Sequence, residues 1–137
     1  MLYKSTENYL FRLPEGDDLI EGLVNFAKQK EILTGVIFAI GAVKDVVLAY
    51  YDFEEKRYKE IELDGTYELV SAIGNISVKE DNIFVHLHTT VANSQGKIYG
   101  GHLMKAKVVV AEVLIEKMIG NPLYRKLQPN GLYLWDI

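Results

Sequence analysis

The sequence predicts an α+β domain with one early helix and seven or more mostly antiparallel strands. Three observations point to this. Apolar residues recur at helical spacing once, near the start. The rest of the chain alternates, or runs apolar and β-branched, over short stretches. Glycine-rich and acidic turn signals separate those stretches.

Residues 8–13 alternate, with Tyr9, Phe11 and Leu13 on one face, and Pro14-Glu15-Gly16 ends this first strand. The helix is expected over residues 17–29, with Asp17 as N-cap and Asp18 and Glu21 in the first turn. Leu19, Ile20, Leu23, Val24, Phe26 and Ala27 supply its apolar face, and Lys28 and Lys30 suit its C-terminal end. Strands are then expected over residues 34–40 and 43–53, broken at Gly41-Ala42. Glu54-Glu55-Lys56 reads as a turn, residues 58–63 as a half-exposed strand, and Asp64-Gly65 as another turn. Residues 67–73, 76–78 and 83–91 follow, separated at Gly74-Asn75 and Glu80-Asp81-Asn82. Residues 93–97 form a polar loop. The valine run makes residues 108–118 a long strand, with Val109, Ala111, Val113 and Ile115 on one face. A short strand is expected near residues 132–135.

The chain has 137 residues, enough for one domain with its own core, and residues 1–137 are read as a single unit. Acidic residues outnumber basic ones, 19 to 15, which disfavours a nucleic-acid partner. Cysteine is absent, which excludes disulfides, thiolate catalysis and cysteine-ligated metal. The opening Met1-Leu2-Tyr3-Lys4 carries no leader pattern, and no apolar run approaches the roughly 18 residues of a membrane span. A cytoplasmic protein is expected. Ser71, Ser77 and Ser94 lie in no nucleophile elbow, and no phosphate-binding loop is present.

The chemistry concentrates in the histidines. All three, His86, His88 and His102, fall within seventeen residues. On a strand, positions i and i+2 share a face roughly 6.5–7 Å apart, so His86 and His88 can converge on one cation. A hairpin across residues 93–97 would bring His102, after Gly100-Gly101, beside them. Three histidines with a fourth position open form a recurrent zinc arrangement, and neutral imidazole also suits nickel, copper or iron. The competing reading is a surface or hydrogen-bonded core group.

Glu112 shares a face with Val108, Val110 and Leu114 on the long strand. A charge on an apolar face needs a partner. Glu112 is therefore a candidate fourth ligand, a support for a ligand, or a general acid or base. The alternative is an ion pair with Arg12 or Lys105. Glu68 is a weaker candidate. Tyr50, Tyr51, Tyr58 and Tyr67 could line a pocket or a subunit contact.

Several short motifs together carry a resemblance. They include Gly16-Asp17-Asp18-Leu19, Ile40-Gly41-Ala42-Val43, Gly74-Asn75-Ile76, His86-Leu87-His88, Gly100-Gly101-His102-Leu103 and Ala111-Glu112-Val113. In this order they resemble the plants-and-prokaryotes-conserved (PPC or PCC) domain, over residues 9–134. The resemblance implies one helix on a strongly bent, mostly antiparallel sheet, and a homotrimer. It implies a metal, zinc above others, held by His86, His88 and His102 near a subunit boundary. Glu68 and Glu112 match acidic positions of that family.

Plant members of the family bind DNA through an added Arg-Gly-Arg hook. Here Arg12, Arg57 and Arg125 stand apart, so DNA is not an expected partner.

Three functions are weighed. The first is a trimeric metal domain that takes a small anionic ligand. The second is an oligomerisation and protein-interaction module, with a DNA-binding or regulatory role by family analogy. The third is a cupin-like metal enzyme, which also uses His-x-His but normally carries a glutamate shortly after it. Residues 89–95 contain none.

Overall fold

The computed structural model describes residues 4–137. Met1, Leu2 and Tyr3, where no leader is expected, lie outside the described residues. Seven strands and one helix follow in the order β1 (Lys4–Leu13), α1 (Leu19–Gln29), β2 (Gly35–Asp52), β3 (Arg57–Lys79), β4 (Asn82–Ala92), β5 (Ile98–Ile119), β6 (Arg125–Leu127) and β7 (Tyr133–Trp135).

The first five strands form one antiparallel sheet in the order β1-β5-β2-β3-β4. β4 also pairs with β5, through His88 opposite His102 to Ala92 opposite Ile98, so the sheet bends round and closes on itself. β6 and β7 form a separate two-stranded hairpin. The arrangement differs from the eight-stranded double sheet of a cupin, which removes the cupin alternative on topology.

The helix begins at Leu19, two residues later than expected. Asp18 rather than Asp17 is its N-cap, because Asp18 Oδ2 accepts from Glu21 N at 3.0 Å. The other carboxylate oxygen of Asp18 accepts from Ala106 N at 3.2 Å, which ties the helix start to β5. Leu19, Leu23 and Ala27 are fully buried beneath the helix. Each such leucine contributes about 2 kcal/mol by leaving water. Phe26 stacks on Phe11 of β1, with centroids 3.7 Å apart.

Several expected breaks are continuous strand. Gly41 lies inside β2, opposite Leu69 and Ala111. Asp64 and Gly65 do not turn the chain. They are a bulge in β3, where the register slips between the Lys44–Thr66 and Val46–Leu63 pairs. Gly74-Asn75 and Gly100-Gly101 are likewise paired strand residues. Local turn propensity loses here because β2, β3 and β5 each pair with a strand on either side.

A further slip between the Ala42–Val110 and Val43–Val108 pairs makes Val109 the extra residue. Val108 is thereby buried, while Val110 and Glu112 face outward. The expected grouping of Val108 with Glu112 fails at this bulge.

Candidate metal centre

The loop at residues 93–97 closes the β4–β5 hairpin as expected, with Asn93 N donating to Lys97 O at 3.0 Å. His86 and His88 project from β4 on the face away from the core, while Val85 and Leu87 between and beside them are buried. His102 lies opposite both His88 and Ala49, at the seam where the sheet closes. The backbone must approach closely here. A Cβ at Gly101 would stand 2.9 Å from Ala49 O, and one at Gly74 would stand 1.9 Å from His86 O. Glycine at these two positions lets β3 and β2 pack directly behind the histidines.

Ring centroids are 4.9 Å apart for His86 and His88, 5.2 Å for His86 and His102, and 5.6 Å for His88 and His102. One nitrogen from each ring lies within 4.8 Å of the others, so the three imidazoles can hold a metal ion. His102 Nδ1 is buried without a hydrogen-bond partner. Such an orphan is costly in a protein interior, and coordination is one way to satisfy it.

Burial is the main reason His86 is pushed down to about 4, helped by the positive charge of Arg125 and then by His102 and His88. Burial likewise brings His102 to about 4, with His88 and Arg125 adding to it. Both rings are therefore neutral at pH 7, the form that ligates a metal. His102 is steadied by Tyr58, whose ring stacks on it at 4.7 Å.

Glu112 does not join this group. It stands ten residues beyond His102 on β5, exposed, opposite Arg12 and Ile40. Arg12 is its cross-strand neighbour but forms no ion pair with it, and the two line a separate apolar cavity of about 610 Å³ with Phe38 and Ile73. Glu68 is also exposed and elsewhere, opposite Ala42 and Ala92. The tyrosine expectation divides. Tyr50, Tyr51 and Tyr58 line the cavity beside the histidines, whereas Tyr67 packs edge-on against Tyr99.

That cavity, about 700 Å³, is walled by the β6–β7 hairpin, which folds back over the histidine face. Val78 N donates to Leu123 O at 2.9 Å, Lys56 Nζ to Pro129 O at 3.0 Å, and the Tyr51 hydroxyl to Asn130 O. The hairpin brings in Arg125, the residue that sequence reasoning missed. Its Nε donates to Ser77 Oγ at 2.7 Å, and its Nη2 to Asn75 Oδ1 at 2.8 Å, 3.5 Å from His86 Nδ1. The residues that hold it are 48 and 50 positions away, so no local motif announces it.

Known proteins are similar to this chain in structure or in sequence. A plant- and prokaryote-conserved protein from Pyrococcus horikoshii is 40% identical with a TM-score of 0.97, covering 99% of this chain and 95% of that one. A metal-containing protein from Archaeoglobus fulgidus is 36% identical with a TM-score of 0.94, covering 98% and 96%. A bifunctional protein GlmU from Synechococcus is 30% identical over 129 residues, 92% of this chain. The chain spans about one fifth of the length of such curated relatives. The model of the Plants and Prokaryotes Conserved (PCC) domain matches residues 3–119. With the histidine hairpin and the closed sheet both inside that match, the chain belongs to the PCC domain family.

Proposed function

We propose that this chain is a homotrimeric metal-binding domain whose His86, His88 and His102 hold a divalent transition metal, zinc first among the candidates. One observation carries the reading. Three imidazoles from two paired strands converge beside a cavity, and one of them has a buried nitrogen without a partner. The relative from Archaeoglobus, described as metal-containing, supports it. Three imidazole nitrogen ligands suit zinc, and they leave room for a ligand from the cavity. A cation held there supplies a Lewis acid that polarises an oxygen of the ligand. The protein's own part is to keep two rings neutral, to orient them against Tyr58, and to limit water behind the β6–β7 hairpin.

Self-assembly is supported by an apolar row on the sheet's outer face, and the three-fold number follows the family resemblance. In register across the strands stand Leu10, Leu114, Phe38, Ile73 and then His88. Leu10 is 83% exposed, Ile73 55% and Phe38 41%, and a continuous line of exposed apolar side chains is the kind of surface that marks an interaction site. Because the row ends at His88, a subunit packed on it would sit next to the metal site. The same row favours a second reading, an interaction module in which the metal only stabilises the assembly.

Elemental analysis of the tag-free protein tests the first reading, beside light-scattering chromatography of wild type and of the His86→Ala/His88→Ala variant. About one metal per chain is expected, lost in the variant without loss of assembly. A wild type that takes up no metal after zinc loading would refute the metal site. A variant that loses both metal and assembly would favour the structural role.

A further inference from the structure

The cavity beside the histidines has a one-sided charge. Its lining includes Arg125 and Lys79 and not one aspartate or glutamate. Arg125 is half-buried, and all its close acceptors are neutral: Ser77 Oγ, Asn75 Oδ1 and Tyr133 O. No carboxylate among the described residues pairs with it. A guanidinium has five N–H donors, and three are engaged here. Of the other two, one on Nη2 meets only His86 Nδ1 at 3.5 Å, too long for a sound bond. The group is thus held rigidly over the Phe84 ring, 5.1 Å away, with donors and charge to spare. Lys79 lies over the Tyr133 ring at 4.3 Å, again without an ion pair. Of the carboxylates flanking this wall, Glu80 is exposed and taken by the Tyr133 hydroxyl at 2.8 Å, and Asp52, between the lining residues Tyr51 and Phe53, is paired with Lys59 at 2.9 Å. Holding a cation out of water without a counter-charge is unfavourable, so an arriving anion gains more here than at the surface.

We infer that the cavity binds a small organic carboxylate, with Arg125 as its anchor and the β6–β7 hairpin as its specificity element. A planar, pre-oriented guanidinium matches a carboxylate. Phe53, Phe84, Met104, Leu132 and Leu134 give the rest of the ligand an apolar wall. A volume of about 700 Å³ is that of a small-molecule site. Inorganic phosphate fits less well, because the helix start of the described residues, at Leu19, is not in this wall and the apolar lining leaves its remaining oxygens without donors. Arg125 and residues 131–134 lie beyond the stretch, residues 3–119, that matches the PCC model. The acid chosen by this chain is therefore set by its C-terminal segment. The inference deepens the metal reading, since Arg125 holds the carboxylate next to His86, but its anchor is independent of the metal.

The test is calorimetric titration of the 137-residue chain, zinc-loaded and chelator-treated, with carboxylates from propionate to phenylpropionate. Each acid is run beside its primary amide and beside inorganic phosphate. At least one acid is expected to bind wild type roughly tenfold or more tighter than its amide, since the charge-assisted pair is lost. Arg125→Met is expected to abolish that discrimination, and Arg125→Lys to restore part of it. The acid–amide comparison on wild type needs no variant, so a misfolded Arg125→Met does not spoil the result. Equal binding of acid and amide, no binding of any acid, or tighter binding of phosphate would overturn the inference. Discrimination that persists in a protein unable to hold metal would sink the metal reading and leave this one standing. Metal uptake without discrimination would do the reverse.

Discussion

His86 and His102 have folded values near 4, against 6.5 for the free side chain, and burial is the main cause. The sign of the effect follows directly. Between pH 6.5 and about 4 the unfolded chain binds protons that the folded chain refuses. The stability of metal-free protein is therefore full at pH 7, falls as pH drops through this window, and levels off below it. Urea unfolding of chelator-treated protein checks this, and His102→Gln should make the slope shallower. A flat profile across the window in wild type would contradict it. Gly74 is the other decisive residue at this scale. A methyl group there would meet His86 O at 1.9 Å, inside the β3–β4 ladder, where no side-chain adjustment relieves it. Gly74→Ala is expected to cost about 3 kcal/mol in denaturant unfolding and to weaken metal uptake, because β4 must move. An unfolding midpoint within error of wild type would show that the strands separate freely.

At the scale of elements, the helix tests which aspartate caps it. Asp18 bonds the Glu21 amide and reaches Ala106, whereas Asp17 is exposed and only precedes the cap. Asp18→Ala should lose about 1 kcal/mol, and Asp17→Ala less than about 0.5 kcal/mol. Equal losses would restore the cap that the sequence suggests. The long strands carry a related lesson. Gly41-Ala42 and Asp64-Gly65 look like breaks, because glycine and Asp-Gly are strong turn signals. In the fold, bulges at these points bend β2 and β3 without ending them. The same effect misplaces Glu112. Alternation along residues 108–114 groups it with Val108, until one extra residue at Val109 reverses the parity.

At the scale of the whole molecule, the outer face decides assembly. Phe38 is the middle of the apolar row, between Leu114 and Ile73. Phe38→Glu places a charge where a neighbouring subunit would bury it, and should shift the assembled form to monomer on light-scattering chromatography. A variant of unchanged mass would show that this face is not the contact. No helix of the described residues is long and apolar enough to cross a membrane.

The sequence by itself determined the features that depend on neighbours a few positions away. The helix follows from its 3.6-residue period, the β4–β5 hairpin from its polar loop at residues 93–97, and the shared face of His86 and His88 from the two-residue period of a strand. Only the tertiary structure decided the rest. It closed the sheet so that Ala49 of β2 pairs with His102 from the other side, bent β3 through its turn signals, and removed Glu112 to another cavity. It also carried Arg125 back across some fifty residues to the histidines. The physical reason is that period and propensity act along the chain, whereas a bulge or a strand pairing trades local preference for hydrogen bonds and burial among residues far apart in sequence.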